Sequence, residues 1–184
     1  MRSMKLKSTL LILSLTLSTS ALGMSEELNS LLAGIDTVPT RSLLLENLDD
    51  AVAQLEAAAS NDQAPLYHRV RATSFLSTLN ADGGRASLLR LCDDTNPEIR
   101  RYAVYGLLRS TDGTLSLQEW SKITTMLQTD ATAVQKDIVR GFRWSKDQRS
   151  LERLTTLTSQ AGPLKSLAIH VLKRRDVLFK APLR

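Results

Sequence analysis

Apolar residues recur along the chain at spacings of three and four, and short polar breakers interrupt them. That period predicts helices, and no stretch alternates as a strand would. The segment 25–35 reads as a short helix capped by Ser25. Residues 40–60 read as one longer helix, with Leu44, Leu45, Leu48, Val52 and Leu55 in phase. Helices are then expected at 65–80, 85–93, 97–109, 116–128, 132–143, 147–159 and 163–175. Between them stand NDQAP, NADGG, DDTN, STDGT, QTDA, SK and QAG. Asn96, Pro97 and Glu98 suit a helix start. Ser116 with Glu119, and Ser145 with Gln148, have the spacing of capping boxes. The fold class is all-α.

Four of these helices are related. IRRYAVYGL (99–107) aligns without gaps with HRVRATSFL (68–76), VQKDIVRGF (134–142) and LKSLAIHVL (164–172). Their starts lie 31, 35 and 30 residues apart. Position one is usually aliphatic, position five is Ala or Ile, and position nine is Leu or Phe. Each of the first three is followed by a second helix, carrying Leu88 and Leu91; Leu117, Trp120, Ile123 and Leu127; or Leu151, Leu154 and Leu157. A period in this range built from helix pairs signals stacked repeats, because one pair cannot bury its apolar face alone.

The pattern aliphatic–Arg–x–x–Ala–x–x–small–Leu after Asn96-Pro97 resembles HEAT-like repeats of the short, bilin-lyase type. The resemblance spans about residues 65–175. His68 and Phe75 depart from it in the first unit, Gln135 and Ile138 in the third. It implies a right-handed α-solenoid with residues 24–64 as acidic N-terminal capping helices. The tail 176–184 would fold back over the other end through Val177, Leu178 and Phe179.

Charge divides the chain. Residues 1–23 hold Arg2, Lys5 and Lys7, then an apolar run, then small residues with Ala21 and Gly23 before Met24. This is the pattern of a cleaved signal peptide, and it predicts export to the periplasm or medium. The run is too short to span a bilayer. Its removal lowers the formal charge from +5 to +2. Residues 24–66 carry eight acids and one base, Arg41, whereas residues 67–184 carry 20 bases and 11 acids. This split suggests that the acidic segment occupies the basic array in cis. A charge this small disfavours sequence-specific nucleic-acid binding.

Catalytic and metal-binding patterns are missing from the sequence. His68 and His170 lack partners at metal-ligand spacing, and Cys92 is a lone thiol among leucines, expected in the core. The expectation is a non-catalytic protein with no cofactor. Second helices line the concave face of such arrays, by resemblance. They offer Arg85, Arg90, Lys122, Arg149 and Arg153, with Arg143 and Trp144 at an adjacent turn. These seven are candidate contacts for another protein, engaged through an acidic segment. The C-terminal cluster Lys173, Arg174 and Arg175 adds to them. The alternatives are an accessory or ligand-handling role of the bilin-lyase kind and electrostatic attachment to an anionic envelope component. Position two of the units holds Arg69, Arg100, Gln135 and Lys165. Its bases are expected to form a ladder with turn acids such as Asp62, Asp94 and Asp130, the alternative being a stripe for an anionic partner. Arg101, replaced by Val70, Lys136 and Ser166 in the other units, is expected to be left for a role particular to this protein.

Overall fold

A computed structural model of the chain describes residues 25–34, 38–109 and 114–180, without the side chains of Asp82 and residues 176–180. The expected signal peptide lies outside the described residues. Within them the fold is all-helical, with no strand. The helices are α1 (Glu26–Ala33), α2 (Arg41–Asn47), α3 (Ala51–Ser60), α4 (Leu66–Thr78), α5 (Gly84–Leu91), α6 (Pro97–Leu108), α7 (Leu117–Thr129), α8 (Thr132–Gly141), α9 (Gln148–Ser159) and α10 (Lys165–Lys180).

Local chemistry sets most of the ends. Asn96 accepts a hydrogen bond from Glu98 N at 2.9 Å, with Pro97 in the first turn. Ser116 and Glu119 form the full capping box of α7. At α9 the expected Ser145–Gln148 box gives way to Asp147, whose carboxylate accepts from Arg149 N at 2.9 Å. Ser145 is buried and accepts instead from Asp147 N at 3.2 Å and from Ser150 at 2.9 Å. An aspartate two residues nearer the helix makes the better cap.

The predicted helix 40–60 is two helices. Asp50 sits at φ 49°, in the left-handed region, and caps α3 through Ala53 N. Asn47, Asp49 and Asp50 favour local bonding over a continued helix, while Leu48 and Val52 keep the apolar period running across the break. Two leucines predicted as core stand outside. Leu45 is 42% exposed and Leu117 is 82% exposed, the latter at the first position of α7, where Leu115 turns inward instead. At the other end α10 runs on through Lys180, so residues 176–180 extend that helix and do not turn back.

The first helices of the units pack in a row. α3 packs on α4, α4 on α6, α6 on α8 and α8 on α10. The second helices lie alongside: α5 against α4 and α6, α7 against α8, and α9 against α10. The sequence pattern explains the row. Position one is buried as Ile99, Val134 and Leu164, and position five as Ala72, Ala103, Ile138 and Ala168. Small residues at position eight let helices approach. A Cβ on Gly106 would stand 3.0 Å from Leu88 Cδ1, and one on Gly141 only 2.6 Å from Leu108 Cδ1. The first helices also receive α1. Arg71 donates to Leu31 O at 3.2 Å, and Tyr67 Oη to Gly34 O at 3.2 Å.

Candidate interaction surface

Two of the three position-two bases, Arg69 and Arg100, form rungs of the expected ladder. Arg69 of α4 donates to Asp94 at 2.6 Å and to Ala59 O at 2.8 Å. Arg100 of α6 donates to both oxygens of Asp130, at 2.6 and 2.8 Å, and to Asp94 O at 2.8 Å. Arg100 therefore ties the turn before its own helix to the acid of the next unit, and Arg69 ties the end of α3 to Asp94. Asp62 takes no part in these two rungs; its carboxylate accepts from the neighbouring Gln63 side chain. The Arg100 hydrogen bond holds the Asp130 carboxyl below its ordinary value, and the same bond holds the guanidinium charged.

The second-helix bases are largely engaged within the chain. Arg85 of α5 forms a two-pronged pair with Glu119 of α7 and donates to Thr114 O at 2.6 Å. Burial raises Glu119, but the Arg85 bond and the Ser116 backbone N–H outweigh it, and the carboxyl is lowered. Arg90 makes two 2.5 Å bonds to Glu56 of α3, which also accepts from Ser87 at 2.7 Å. Glu56 is one acid of the N-terminal segment that reaches the basic array. Lys122 of α7 pairs with Asp93 at 2.5 Å. Arg149 of α9 pairs with Asp147 at 2.6 Å, donates to Leu115 O at 2.5 Å, and lies over the Trp120 ring at 5.1 Å. Arg153 is half-buried on α9, and its Nε has no hydrogen-bond partner among the described residues. A carboxylate already seated on a guanidinium cancels most of the charge an acidic partner would meet.

The remaining two candidates, Arg143 and Trp144, are brought into a cluster on the other helices. They follow Phe142, the C-cap of α8, and their amides bond back to Arg140 O and Gly141 O. Trp144 Nε1 donates to Tyr105 Oη of α6 at 3.2 Å. Arg143 lies 4.7 Å and Arg109 5.6 Å from the indole, and Arg109 also covers the Tyr105 ring at 5.6 Å. Trp144 remains 37% exposed and Tyr102 40%. Beside them α6 and α8 enclose an open cleft of about 260 Å³, lined by Arg101, Tyr102, Tyr105, Asp137 and Arg140.

Arg101 is not left unengaged, contrary to its sequence reading. It pairs with Asp137 of α8 at 2.5 Å and with Glu98 at 2.6 Å. Its uniqueness among the units comes from α8 supplying Asp137. Arg140 shares that carboxylate at 2.5 Å and keeps its side chain 54% exposed. The sequence reading missed Tyr102, Tyr105, Arg109 and Arg140. The available signal was Arg101, Tyr105 and Arg109 four residues apart along α6 and its C-cap, with Arg140 and Trp144 four apart at the end of α8 and just past it.

Cys92 is buried as expected, and burial pushes its thiol up to about 12. Among the described residues no group of His, Cys, Asp and Glu is arranged to hold a metal, and no helix is long and apolar enough to cross a membrane. The arrangement is that of an all-helical protein with a cationic and aromatic cluster between α6 and the end of α8. No family model, no curated protein and no solved structure matches the chain.

Proposed function

We propose that this chain is an exported, non-catalytic interaction module. It is read as a short, right-handed α-solenoid of HEAT-like helix pairs, capped by α1–α3, that docks another protein through an acidic segment. The observation that carries the reading is the Trp144–Tyr105 contact with Arg109 and Arg143 over the ring. A half-exposed indole fixed by a hydrogen bond loses little freedom on binding, and Trp, Tyr and Arg dominate binding hot spots. Guanidiniums stacked on aromatics retain their edges for carboxylates. The ion pairs along the second helices support a scaffold role differently: they stitch neighbouring units and keep the docking face rigid.

The test compares the protein and its Trp144→Ala variant as bait in extracts of the cell envelope. Partners are expected to be recovered by the first and lost or much reduced with the second. Equal recovery by both would remove the proposed dock. The export component predicts a protein in the envelope fraction whose first residue is Met24, read by mass spectrometry.

A further inference from the structure

At the N-terminal end of the row, α2 and the turn after it present exposed leucines beside carboxylates, with Arg41 the exposed base at the start of the helix. Leu44 and Leu48 are buried, while Leu43 and Leu45, on either side of Leu44, are each 42% exposed. A helix places residues 43, 46 and 45 around one outward arc, so Glu46 stands between the two leucines. Val38 is 78% exposed just ahead of α2, and Asp49 and Asp50 are exposed just after it. Leucines stranded in water beside carboxylates are an unpartnered amphipathic surface.

The complementary surface is the α6–α8 face. It sets four guanidiniums, from Arg101, Arg109, Arg140 and Arg143, against two carboxylates, Glu98 and Asp137. Its cleft, about 260 Å³ in volume, has Tyr102 and Tyr105 as apolar walls. Arg140 stands at that cleft with about half its side chain in water. Both surfaces are exposed in the same molecule, so they do not cover each other within one chain.

We propose that the α2 face of one copy docks into the α6–α8 face of a second copy, head to tail. Leu43 or Leu45 enters the tyrosine-walled cleft, and Glu46 and Asp49 meet Arg140 and Arg109. Because the two surfaces differ, every added copy leaves one face of each kind unused, and the assembly either extends or closes into a ring. This rests on the reading of the Trp144 face as a dock for an acidic segment, and it names that segment.

Sedimentation velocity of the full chain over a concentration series tests it. The protein is expected to self-associate, less so in high salt. Glu46→Lys/Asp49→Lys and Arg109→Glu/Arg140→Glu are each expected to weaken association by about tenfold or more, with helical circular dichroism unchanged. An equimolar mixture of the two variants should regain association but stop at two copies, since each retains one working face. If the arginine variant loses helicity, Tyr102→Ser replaces it in both experiments. A wild-type protein that stays monomeric, association that ignores both variants, or a mixture that fails to pair would each overturn the proposal. The Glu46→Lys/Asp49→Lys variant separates it from the broader reading. If wild type is monomeric yet this variant still captures a partner through Trp144, self-docking fails and the interaction module stands. If Trp144→Ala leaves both partner capture and self-association unchanged, the dock itself is lost.

Discussion

Arg100 grips both carboxylate oxygens of Asp130, thirty residues further along the chain, and Arg69 holds one oxygen of Asp94 one unit earlier. The Asp130 side chain is 8% exposed and that of Arg100 20%. At that burial, removing one partner leaves the other's charge without its counter-ion. Arg100→Gln and Asp130→Asn are each expected to cost about 2 kcal/mol in denaturant unfolding. The double variant should cost clearly less than the two losses added, which a double-mutant cycle reads directly. Asp62→Asn, outside the two rungs, is expected to stay within about 0.5 kcal/mol of wild type.

The same pairs set how the protein responds to acid. Asp130 and Asp147 are lowered from 3.8, chiefly by the Arg100 and Arg149 bonds, and Glu56 is lowered from 4.5, chiefly by Arg90. Glu119 is lowered from 4.5 as the arginine and backbone bonds overcome burial. A carboxyl lowered in the folded state contributes stability that is full above its unfolded value. That contribution is lost as pH falls through the folded value. Stability is therefore expected to be flat in these groups down to about pH 5 and to fall progressively below it. Urea midpoints between pH 7 and 3 check this. Asp130→Asn should flatten the acid limb, while a variant with the same slope as wild type would detach these pairs from acid sensitivity.

The fold was more legible in sequence than the site, and the residues show why. Ile99, Ala103 and Leu107 are buried because a repeat must present them to its neighbours, so spacing alone locates them. Asn96, Pro97 and Ser116 mark helix starts through bonds made within a few residues. The break at Asp50 was hidden because leucines on both sides keep one period. The bases of the second helices were legible as bases, but their partners lie about one repeat away. Arg85 meets Glu119, Arg90 meets Glu56 and Lys122 meets Asp93, each across the packing of two units. Opposite charges separated by about one repeat length were the missed signal. Trp144 was noticed for standing outside any stripe, yet nothing local pointed to Tyr105, 39 residues earlier.

Close packing of the first helices makes a ranked prediction about glycine. At Gly141 an added Cβ lies 2.6 Å from Leu108 Cδ1 and 3.1 Å from Leu108 Cβ, and Leu108 is itself buried. Overpacking there costs about 1–3 kcal/mol, and at the last residue of α8 the helix gains little from alanine. Gly141→Ala is expected to destabilise by about 1–2 kcal/mol. Gly106 lies inside α6 with its nearest neighbours at 3.0 and 3.1 Å, so a helix-propensity gain of about 1 kcal/mol offsets most of the strain. Gly106→Ala should be the milder change. Thermal unfolding of both variants checks the order, and the reverse ranking would contradict the packing described for α6 and α8.

Cys92 provides a readout of whether that packing stays closed. Its side chain is buried against the core, and burial pushes the thiol up to about 12, with Lys122 pulling weakly the other way. A thiol in that position has almost no thiolate at neutral pH and no path for a reagent. The native protein is expected to resist maleimide or Ellman's reagent over hours and to react fully once unfolded. Gly141→Ala and Asp130→Asn loosen the row on either side of α8, so they should speed labelling in proportion to their loss of stability. Lys122→Gln removes the cation that pulls on this thiol without opening the core, and should leave labelling slow. Rapid modification of the wild-type protein at pH 7 would mean that the turn after α5 opens independently of the helices it joins.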